Sequence, residues 1–238
     1  MALVAVQALD TRLDQLAHAR DTLPESAQVK ALQHQSAALD RELTLAEAAR
    51  ADLQRELDKS EADVQLVRDR ASRNQSRLDA GAGSPKDLQA LQHELASLAR
   101  RQGELEDLEL EVMERAETLD AEVARLRGRR AGLDQTLAEA TTARDLALGA
   151  LQGEATDVGA RRHSLAPSIG AELLALYTKV RASAGGIGAA ELKQRRCGGC
   201  QLELNQVDLA RIKAAPPDEV LRCEECRRVL VRTAESGL

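Results

Sequence analysis

The stretch Gly81-Ala82-Gly83-Ser84-Pro85-Lys86-Asp87 decides the fold, because it separates two long segments that share one apolar pattern. Glycine ends a helix readily, Ser84 is suited to cap the next helix, and Pro85 suits that helix's first turn. Asp87 then lies where a carboxylate is favoured by the positive end of the helix dipole. We therefore predict a helical hairpin with its turn at residues 81–84.

Both segments beside the turn repeat apolar residues in alternating steps of three and four. After the turn, the repeat passes through Leu91, Leu95, Leu98, Leu105, Val112, Ala116, Leu119, Val123, Leu126, Leu133, Leu137, Leu151, Val158 and Leu165. Before it, the repeat passes through Leu9, Leu13, Leu16, Leu23, Leu39, Leu43, Ala46, Leu53, Leu57, Val64, Val67, Ala71 and Leu78. Such heptad seams are typical of coiled coils. Because each arm has about 80 residues, the arms should pair as an intramolecular antiparallel coil.

The turn predicts how the residues of the two arms pair, and a proline predicts a break in the first arm. If the turn is centred near residue 82, residue i lies roughly opposite residue 165 − i, and Arg144 should pair with Asp21. Pro24 interrupts the first arm, because proline lacks a backbone donor and clashes with the preceding helical turn. With Thr22 and Ser26 beside it, the first arm is predicted to be two helices.

Composition excludes several classes of protein. The 238 residues contain no Trp, no Phe and one Tyr, whereas charged residues make up 30%. This favours long helices with an aliphatic stripe over an ordinary globular core. The net charge of −6 argues against binding nucleic acid along the whole chain. Because the sequence lacks both a secretory leader and an apolar run of roughly 18 residues, we expect a soluble, cytoplasmic protein without a membrane partner.

Four cysteines lie in the last 42 residues, as Cys197-Gly198-Gly199-Cys200 and Cys223-Glu224-Glu225-Cys226. Two residues between thiolates let one tight turn place both sulfurs on one ion, and Gly198 and Gly199 are expected to supply positive φ there. Two such turns form a closed tetrahedral site, which selects one structural Zn²⁺ on which folding should depend. The alternatives are a disulfide pair and a redox dithiol, although the βαβ pattern of the latter is absent.

The chain after the coil forms a second predicted domain. Ala166-Pro167-Ser168 ends the heptads and starts a helix whose apolar face is Ile169, Leu173, Leu176, Tyr177 and Val180. Short segments suited to strands and one helix follow Gly185–Gly188. We predict a mainly α fold: an antiparallel coiled-coil hairpin over residues 1–166, broken near Pro24, and a helix with a small α+β C4 zinc ribbon over residues 167–238.

Basic residues flank the cysteines, namely Lys193, Arg195, Arg196, Arg227, Arg228 and Arg232. Arginine clusters of this kind bind phosphate groups or acidic protein surfaces. The net charge of residues 185–238 is only +1, and the sequence there offers no aromatic platform for stacking bases. RNA or DNA binding and protein binding both stay open for these residues. An enzyme is not expected, because four thiolates leave no zinc position for a catalytic water.

The chain resembles a bacterial family of coiled-coil proteins with a C-terminal C4-type zinc ribbon. The residues that carry the resemblance are Ser84-Pro85-Lys86-Asp87-Leu88-Gln89-Ala90-Leu91, Leu176-Tyr177-Thr178-Lys179-Val180-Arg181, and the two cysteine motifs with the following Arg227-Arg228-Val229-Leu230-Val231. Arg227 departs from the family, which more often has glycine there. The resemblance implies a kinked hairpin with a zinc ribbon that binds nucleic acid or regulatory proteins, and a flagellar-regulation branch that engages transcription machinery and messenger RNA.

These observations together predict a non-enzymatic adaptor. The coiled coil is expected to bind a protein partner, and the ribbon to contact RNA, DNA or a second protein. The alternative is a purely protein-binding scaffold or a chaperone-like tether. Association of two hairpins as a homodimer stays open.

Overall fold

The chain is mainly helical in the computed structural model, which describes residues 2–81 and 83–238. The helices are α1 (Ala2–Asp21), α2 (Pro24–Asp79), α3 (Pro85–Leu165), a 3-10 helix (Ala166–Ile169), α4 (Ala171–Ser183) and α5 (Gln206–Ala214). The strands are β1 (Ala189–Lys193), β2 (Arg196–Cys197), β3 (Leu221–Arg222) and β4 (Val229–Val231). The predicted fold class, a long helical hairpin with a small strand-containing C-terminal region, is confirmed.

The chain divides into two compact units. The hairpin unit, Gln28–Ala140, contains most of α2 and the first part of α3. The C-terminal unit combines the chain up to Ala27 with Thr141–Leu238, so that α1 and the end of α3 belong with α4 and the sheet. The predicted boundary between residues 166 and 167 stays a prediction.

The hairpin turn is closed by a reciprocal cap. The N–H of Asp87 donates to Ser84 Oγ at 3.3 Å, and the N–H of Ser84 donates to Asp87 Oδ2 at 3.0 Å. The Ser84 hydroxyl also donates to Asp87 Oδ2 at 2.7 Å, and this bond and the one from the Ser84 N–H lower the pKa of the Asp87 carboxyl. Gly81 ends α2 with φ of 62°, where glycine carries no steric penalty. The predicted roles of Ser84, Pro85 and Asp87 are confirmed, whereas Ala82 of the predicted turn lies outside the described residues.

The predicted apolar seam forms the core of the hairpin unit. Its most buried members are Leu39, Leu53, Val64, Leu91, Leu105, Val112, Val123 and Leu126, each at most 7% exposed. Ion pairs between α2 and α3 flank this seam, among them Arg127 with Glu47 at 2.6 Å and Arg68 with Glu106 at 2.5 Å. Exposed ion pairs stabilise little, so burial of the seam holds the two arms together.

The predicted register of the hairpin is wrong. Across the coil, Asp40 pairs with Arg130 at 2.5 Å and Glu56 with Arg115 at 3.5 Å, whereas the predicted register places residues 125 and 109 opposite them. The observed partners therefore lie five and six residues, close to one heptad, beyond the predicted ones. Because a heptad seam presents the same apolar stripe after a shift of one repeat, apolar spacing alone does not select between these registers.

The predicted pair between Arg144 and Asp21 is also wrong. Among the described residues, Arg144 donates to Asp145 at 2.7 Å, and Asp21 accepts from Arg20 at 3.2 Å. Each charge is therefore paired with its immediate neighbour in sequence rather than across the coil.

The break in the first arm lies where the sequence predicts it. α1 ends at Asp21 and α2 begins at Pro24, because proline is tolerated at the first helical position but not in a helix interior. The backbone N–H and the hydroxyl of Thr22 both donate to the carbonyl of His18, at 2.9 Å and 2.7 Å, and so close the last turn of α1.

A buried polar cluster fastens α1 to the rest of the C-terminal unit. The Asp10 carboxylate accepts from Arg162 Nε at 2.7 Å and from the Tyr177 hydroxyl at 2.7 Å, while Asp10 itself is 5% exposed. Burial and the bond to Asp10 raise the pKa of Tyr177 well above its usual value. Arg181 adds a bond to the Asp10 carbonyl at 3.4 Å. This Asp10 cluster therefore joins α1, α3 and α4.

Gln7 forms a second clamp one turn before Asp10. Its Oε1 accepts the N–H of Gly188 at 2.7 Å, and its Nε2 donates to the carbonyl of Gly186 at 3.0 Å. Around the clamp, α1 and α4 pack an apolar cluster against the sheet; it consists of Leu3, Val6, Tyr177, Ala189 and Val229. Tyr177, expected on the apolar face of a helix after the coil, is fully buried there.

The sheet has the strand order β2-β1-β4-β3. β1 and β4 are parallel at its centre, and the two outer pairs are antiparallel. α5 packs on the sheet through Leu209 and Ile212, which belong to a core that also contains Cys197 and Cys223. The strands and helix predicted after Gly188 are confirmed, and the cysteine region is built into this core.

Candidate metal centre

The four cysteine sulfurs converge on one point. All four Sγ atoms lie within 4.8 Å of one another. Cys197 Sγ is 3.8 Å from Cys226 Sγ, and Cys200 Sγ is 3.9 Å from Cys223 Sγ. Four sulfurs about 2.3 Å from a tetrahedral zinc would lie about 3.8 Å apart, so the residues fit the ion.

The same backbone turn presents both cysteine pairs. In the first turn, the N–H of Gln201 donates to the carbonyl of Cys197 at 2.8 Å. In the second, the N–H of Arg227 donates to the carbonyl of Cys223 at 2.9 Å. Cys197 is the last residue of β2, and Cys223 directly follows β3, so the sheet positions one cysteine of each pair.

The glycines of the first turn have a different role from the predicted one. Neither Gly198 nor Gly199 has positive φ; instead, a Cβ on Gly198 would lie 3.0 Å from the carbonyl oxygen of Glu191. A Cβ on Gly199 would lie 2.5 Å from Arg228 Cδ. Neighbouring groups therefore leave little room for a side chain at either position. The prediction that these two glycines supply positive φ was wrong.

Positive φ occurs instead at the residue after each second cysteine. Gln201 has φ of 64° and Arg227 has φ of 62°. Side chains with a Cβ are disfavoured in this left-handed conformation by roughly 1–2 kcal/mol. Arg227, the residue at which this chain departs from the resembling family, therefore has a strained backbone.

Replacing Arg227 with glycine should stabilise the protein. Relief of the left-handed strain is partly offset by the greater freedom of glycine in the unfolded chain, which leaves a gain of about 0.5–1 kcal/mol in the free energy of unfolding. Thermal unfolding of the zinc-loaded protein measures this gain. The control is Arg196→Gly in strand β2, which should destabilise by a similar amount because its φ is not positive. A loss of stability in Arg227→Gly would contradict the strain argument.

The surroundings of the cysteine sulfurs give their thiols different pKa values. Burial raises the pKa of Cys223 to about 12 and also raises that of Cys197. Burial acts in the same direction on Cys226, but hydrogen bonds from the backbone and side chain of Arg228 and from the thiols of Cys223 and Cys200 together outweigh it and bring that pKa to about 7. Since zinc binds thiolates, metal binding releases protons, most of all from the buried pair.

Two of the six basic residues near the cysteines bind the chain's own backbone. Arg228 donates to the carbonyls of Ala184 at 2.7 Å and Ile187 at 2.9 Å. Arg232 donates to the carbonyls of Ile212 at 2.9 Å and Ala215 at 2.6 Å. Both guanidiniums therefore bond to partly buried carbonyl groups of the fold, a role that the sequence does not reveal.

Three others lie at the surface beside carboxylates. Lys193 pairs with Glu235 at 2.7 Å, Arg196 with Glu203 at 3.7 Å, and Arg227 with Glu224 at 3.5 Å. The backbone of Arg195 donates to Ser236 at 2.9 Å and has φ of 66°. The six residues thus do not share one function. Some stabilise the fold, and the charges of the exposed ones are partly neutralised by neighbouring carboxylates.

Comparison with known proteins identifies the two parts of the chain. A family model described as a CT398-like coiled coil hairpin domain matches residues 6–185. The chain belongs to this family. A model of a C4-type zinc ribbon domain matches residues 196–230, which include all four cysteines. Together with the sulfur geometry, this match assigns one structural Zn²⁺ to Cys197, Cys200, Cys223 and Cys226.

Similar proteins come from mycobacteria. Two uncharacterised proteins of Mycobacterium tuberculosis, from strains CDC 1551/Oshkosh and H37Rv, are 37% identical over 231 residues, covering 97% of this chain and 94% of each relative. An uncharacterised Mycobacterium leprae protein is 26% identical, covering 91% of this chain and 93% of its own. The predicted resemblance to a bacterial coiled-coil and zinc-ribbon family is therefore confirmed.

Solved structures support the same architecture. A Mycobacterium smegmatis structure matches with a TM-score of 0.85 and 37% identity, covering 97% of this chain and 96% of that one. CT398 from Chlamydia trachomatis matches with a TM-score of 0.69 and 16% identity, covering 98% and 96%. The second likeness shows the fold alone.

Proposed function

We propose that the protein is a non-enzymatic adaptor that binds other proteins. The observation that carries the proposal is the arrangement of the ribbon's basic residues. Arg228 and Arg232 bind backbone carbonyls, and Lys193, Arg196 and Arg227 lie beside carboxylates. A nucleic acid would have to displace these partners, whereas a protein surface can accommodate a mixed pattern of charges.

The character of the zinc centre supports a non-catalytic role. Four thiolates complete a tetrahedral zinc site, so no position is left for a water that would attack a substrate. Cys197 and Cys223 are also part of the ribbon core, where their burial serves packing. The zinc therefore stabilises the ribbon that the adaptor presents to its partners.

The charge of the coil supports a protein partner over nucleic acid. Residues 28–140 contain 17 Lys and Arg against 23 Asp and Glu. Phosphate backbones are repelled by such a surface, while basic protein segments are attracted to it.

A cytoplasmic location is part of the proposal, because zinc-binding thiolates persist in a reducing compartment. Within residues 2–81 and 83–238, no helix is both long and apolar enough to cross a bilayer.

Nucleic-acid binding through the ribbon is the competing function, and salt dependence separates the two. We expect fluorescently labelled RNA, single-stranded DNA and duplex DNA to show no specific binding to the zinc-loaded protein at about 50 mM salt. Binding that weakens steeply with salt, and is lost in a variant with Lys193, Arg195, Arg196 and Arg227 replaced by alanine, would overturn the proposal in favour of a nucleic-acid adaptor. Arg228 and Arg232 stay unchanged in that variant, so that the fold is preserved.

A further inference from the structure

The hairpin unit carries a shallow groove between α2 and α3, which we name the mid-coil groove. Its volume is about 1090 Å³. Its floor is apolar, formed by Ala49 and Leu53 of α2 and by Leu119 and Ala121 of α3. Leu53 belongs to the buried seam, whereas Ala49 and Ala121 are exposed. The floor therefore consists of the seam leucines Leu53 and Leu119, one buried and one half-buried, with the exposed small side chains of Ala49 and Ala121 beside them.

Exposed leucines extend the groove beyond both ends. Leu45 lies one helical turn before Ala49 on the same face of α2 and is 72% exposed. Leu110 lies one turn before Glu114, which lines the groove on α3, and is 56% exposed. Because the arms are antiparallel, these two leucines lie toward opposite ends of the groove. Apolar side chains arranged along a groove in this way are typical of a binding surface.

The rim of the groove is acidic. It carries two guanidiniums and five carboxylates, namely Arg115, Arg125, Asp52, Glu56, Glu111, Glu114 and Glu122. Both guanidiniums are paired within the rim, Arg115 with Glu56 at 3.5 Å and Arg125 with Glu122 at 2.6 Å. In the part of the chain that the structure describes, neither Glu111 nor Glu114 forms an ion pair. Their negative charge is therefore left for a partner.

We propose that the mid-coil groove binds a basic amphipathic helix of a partner protein. The leucine-lined floor takes the apolar face of that helix, and Glu111 and Glu114 bind its Lys and Arg side chains. The α3 residues that line the groove run from 111 to 125, about 21 Å at 1.5 Å per residue, which matches about four turns of a bound helix. The inference rests on the protein-binding function proposed above, and it names the surface and the chemistry of the partner.

Charge complementarity favours this occupant over others. A second copy of the chain would bring another acidic coil against the acidic rim, and a nucleic acid would bring phosphates. A basic helix instead gains attraction at the rim and burial at the floor from the same contact.

A synthetic peptide tests the groove with the full-length, zinc-loaded protein. The probe is a helix of roughly 18 residues, with leucine at every third or fourth position and lysine elsewhere. Its control has the same composition in an order without an apolar stripe. The groove variant is Glu111→Lys with Glu114→Lys. The matched variant is Asp107→Lys with Glu117→Lys, which makes the same charge change on the same helix outside the groove lining.

The expected result is that the striped peptide binds and the reordered one binds at least tenfold more weakly. The groove variant should weaken binding of the striped peptide by about tenfold or more, and the matched variant by less than about threefold. Equal weakening in both variants would overturn the proposal, since it would show attraction to acidic helices in general. Absence of binding to the striped peptide would overturn it as well.

Photocrosslinking in cells gives a second, independent readout. A photoreactive amino acid replaces Ala121 in the groove or, as the control, Glu117 outside it. Crosslinks at position 121 to a basic amphipathic helix of another protein, mapped by mass spectrometry and absent at position 117, support the proposal. Crosslinks there to RNA or to a second copy of the chain would overturn it. A protein partner crosslinked only outside the groove would overturn the proposal that the groove binds the partner, while leaving the adaptor function intact.

Discussion

Replacing Cys223 with serine is expected to remove zinc and unfold the ribbon. Structural zinc contributes roughly 10–16 kcal/mol of apparent binding free energy to small modules, far more than a single packing contact. Cys223 is 1% exposed and belongs to the core formed by α5 and the sheet. A serine hydroxyl there would be both a poor zinc ligand and a buried polar group.

Two measurements check this result. Zinc content per chain should fall from one to near zero, and NMR signals of ribbon amides such as Leu192 and Ile212 should lose their dispersion. Helical circular dichroism should change little, because most of the helix lies in α2 and α3. The control is Glu225→Ser, an exposed residue inside the same cysteine turn, which should behave as the original protein. Unchanged zinc content and thermal stability in Cys223→Ser would contradict the metal assignment.

Replacing Asp10 with alanine is expected to weaken the attachment of α1 to α3 and α4. The substitution leaves Arg162 and the Tyr177 hydroxyl without their buried partner. Breaking a buried charge pair costs about 3–5 kcal/mol, but the Arg162 side chain is 31% exposed, so solvent reduces the expected loss to about 2–3 kcal/mol.

Tyr177 reports this loss directly, since it is the one tyrosine in a chain without Trp or Phe. Its fluorescence should change in Asp10→Ala as the hydroxyl loses the carboxylate, and denaturant unfolding followed by that signal gives the free energy. The matched control is Asp14→Ala, which removes an exposed carboxylate bound to Arg181 at 2.5 Å and should cost less than about 1 kcal/mol. Equal losses in the two variants would show that the Asp10 cluster does not fasten α1.

Local features of this fold could be predicted from the sequence because their signals are local. The turn with Ser84 and Asp87, the break at Pro24 and the seam through Leu53 each follow from a few adjacent residues or one periodicity. The spacing of the zinc ligands is likewise contained within each short cysteine motif.

The register and the Asp10 cluster depend on contacts that no short pattern encodes. A shift of about one heptad leaves the seam chemically equivalent, so the apolar spacing does not select cross-coil pairs such as Asp40 with Arg130. Asp10 and Tyr177 are separated by 167 positions. One available signal was missed: Gln7 and Asp10 follow Leu3 and Val6 on the same helical face, where polar residues indicate a buried partner.

The ribbon arginines show why residue type alone did not predict their roles. Arg228 and Arg227 are adjacent in sequence, yet Arg228 donates to the backbone carbonyls of Ala184 and Ile187, whereas Arg227 lies exposed beside Glu224. Neither residue lies in a strand, and Arg227 has φ of 62°, so no strand periodicity in the sequence separates their side chains. Only the tertiary structure separates these two arginines.

The central claim is that zinc is held by four sulfurs in a closed site that stabilises the ribbon. X-ray absorption at the zinc edge of the purified protein tests it most directly. We predict four sulfur scatterers at about 2.3 Å and no nitrogen or oxygen in the first coordination shell. A first-shell oxygen or nitrogen replacing one of the sulfurs would contradict the closed site and would reopen a catalytic role for the metal.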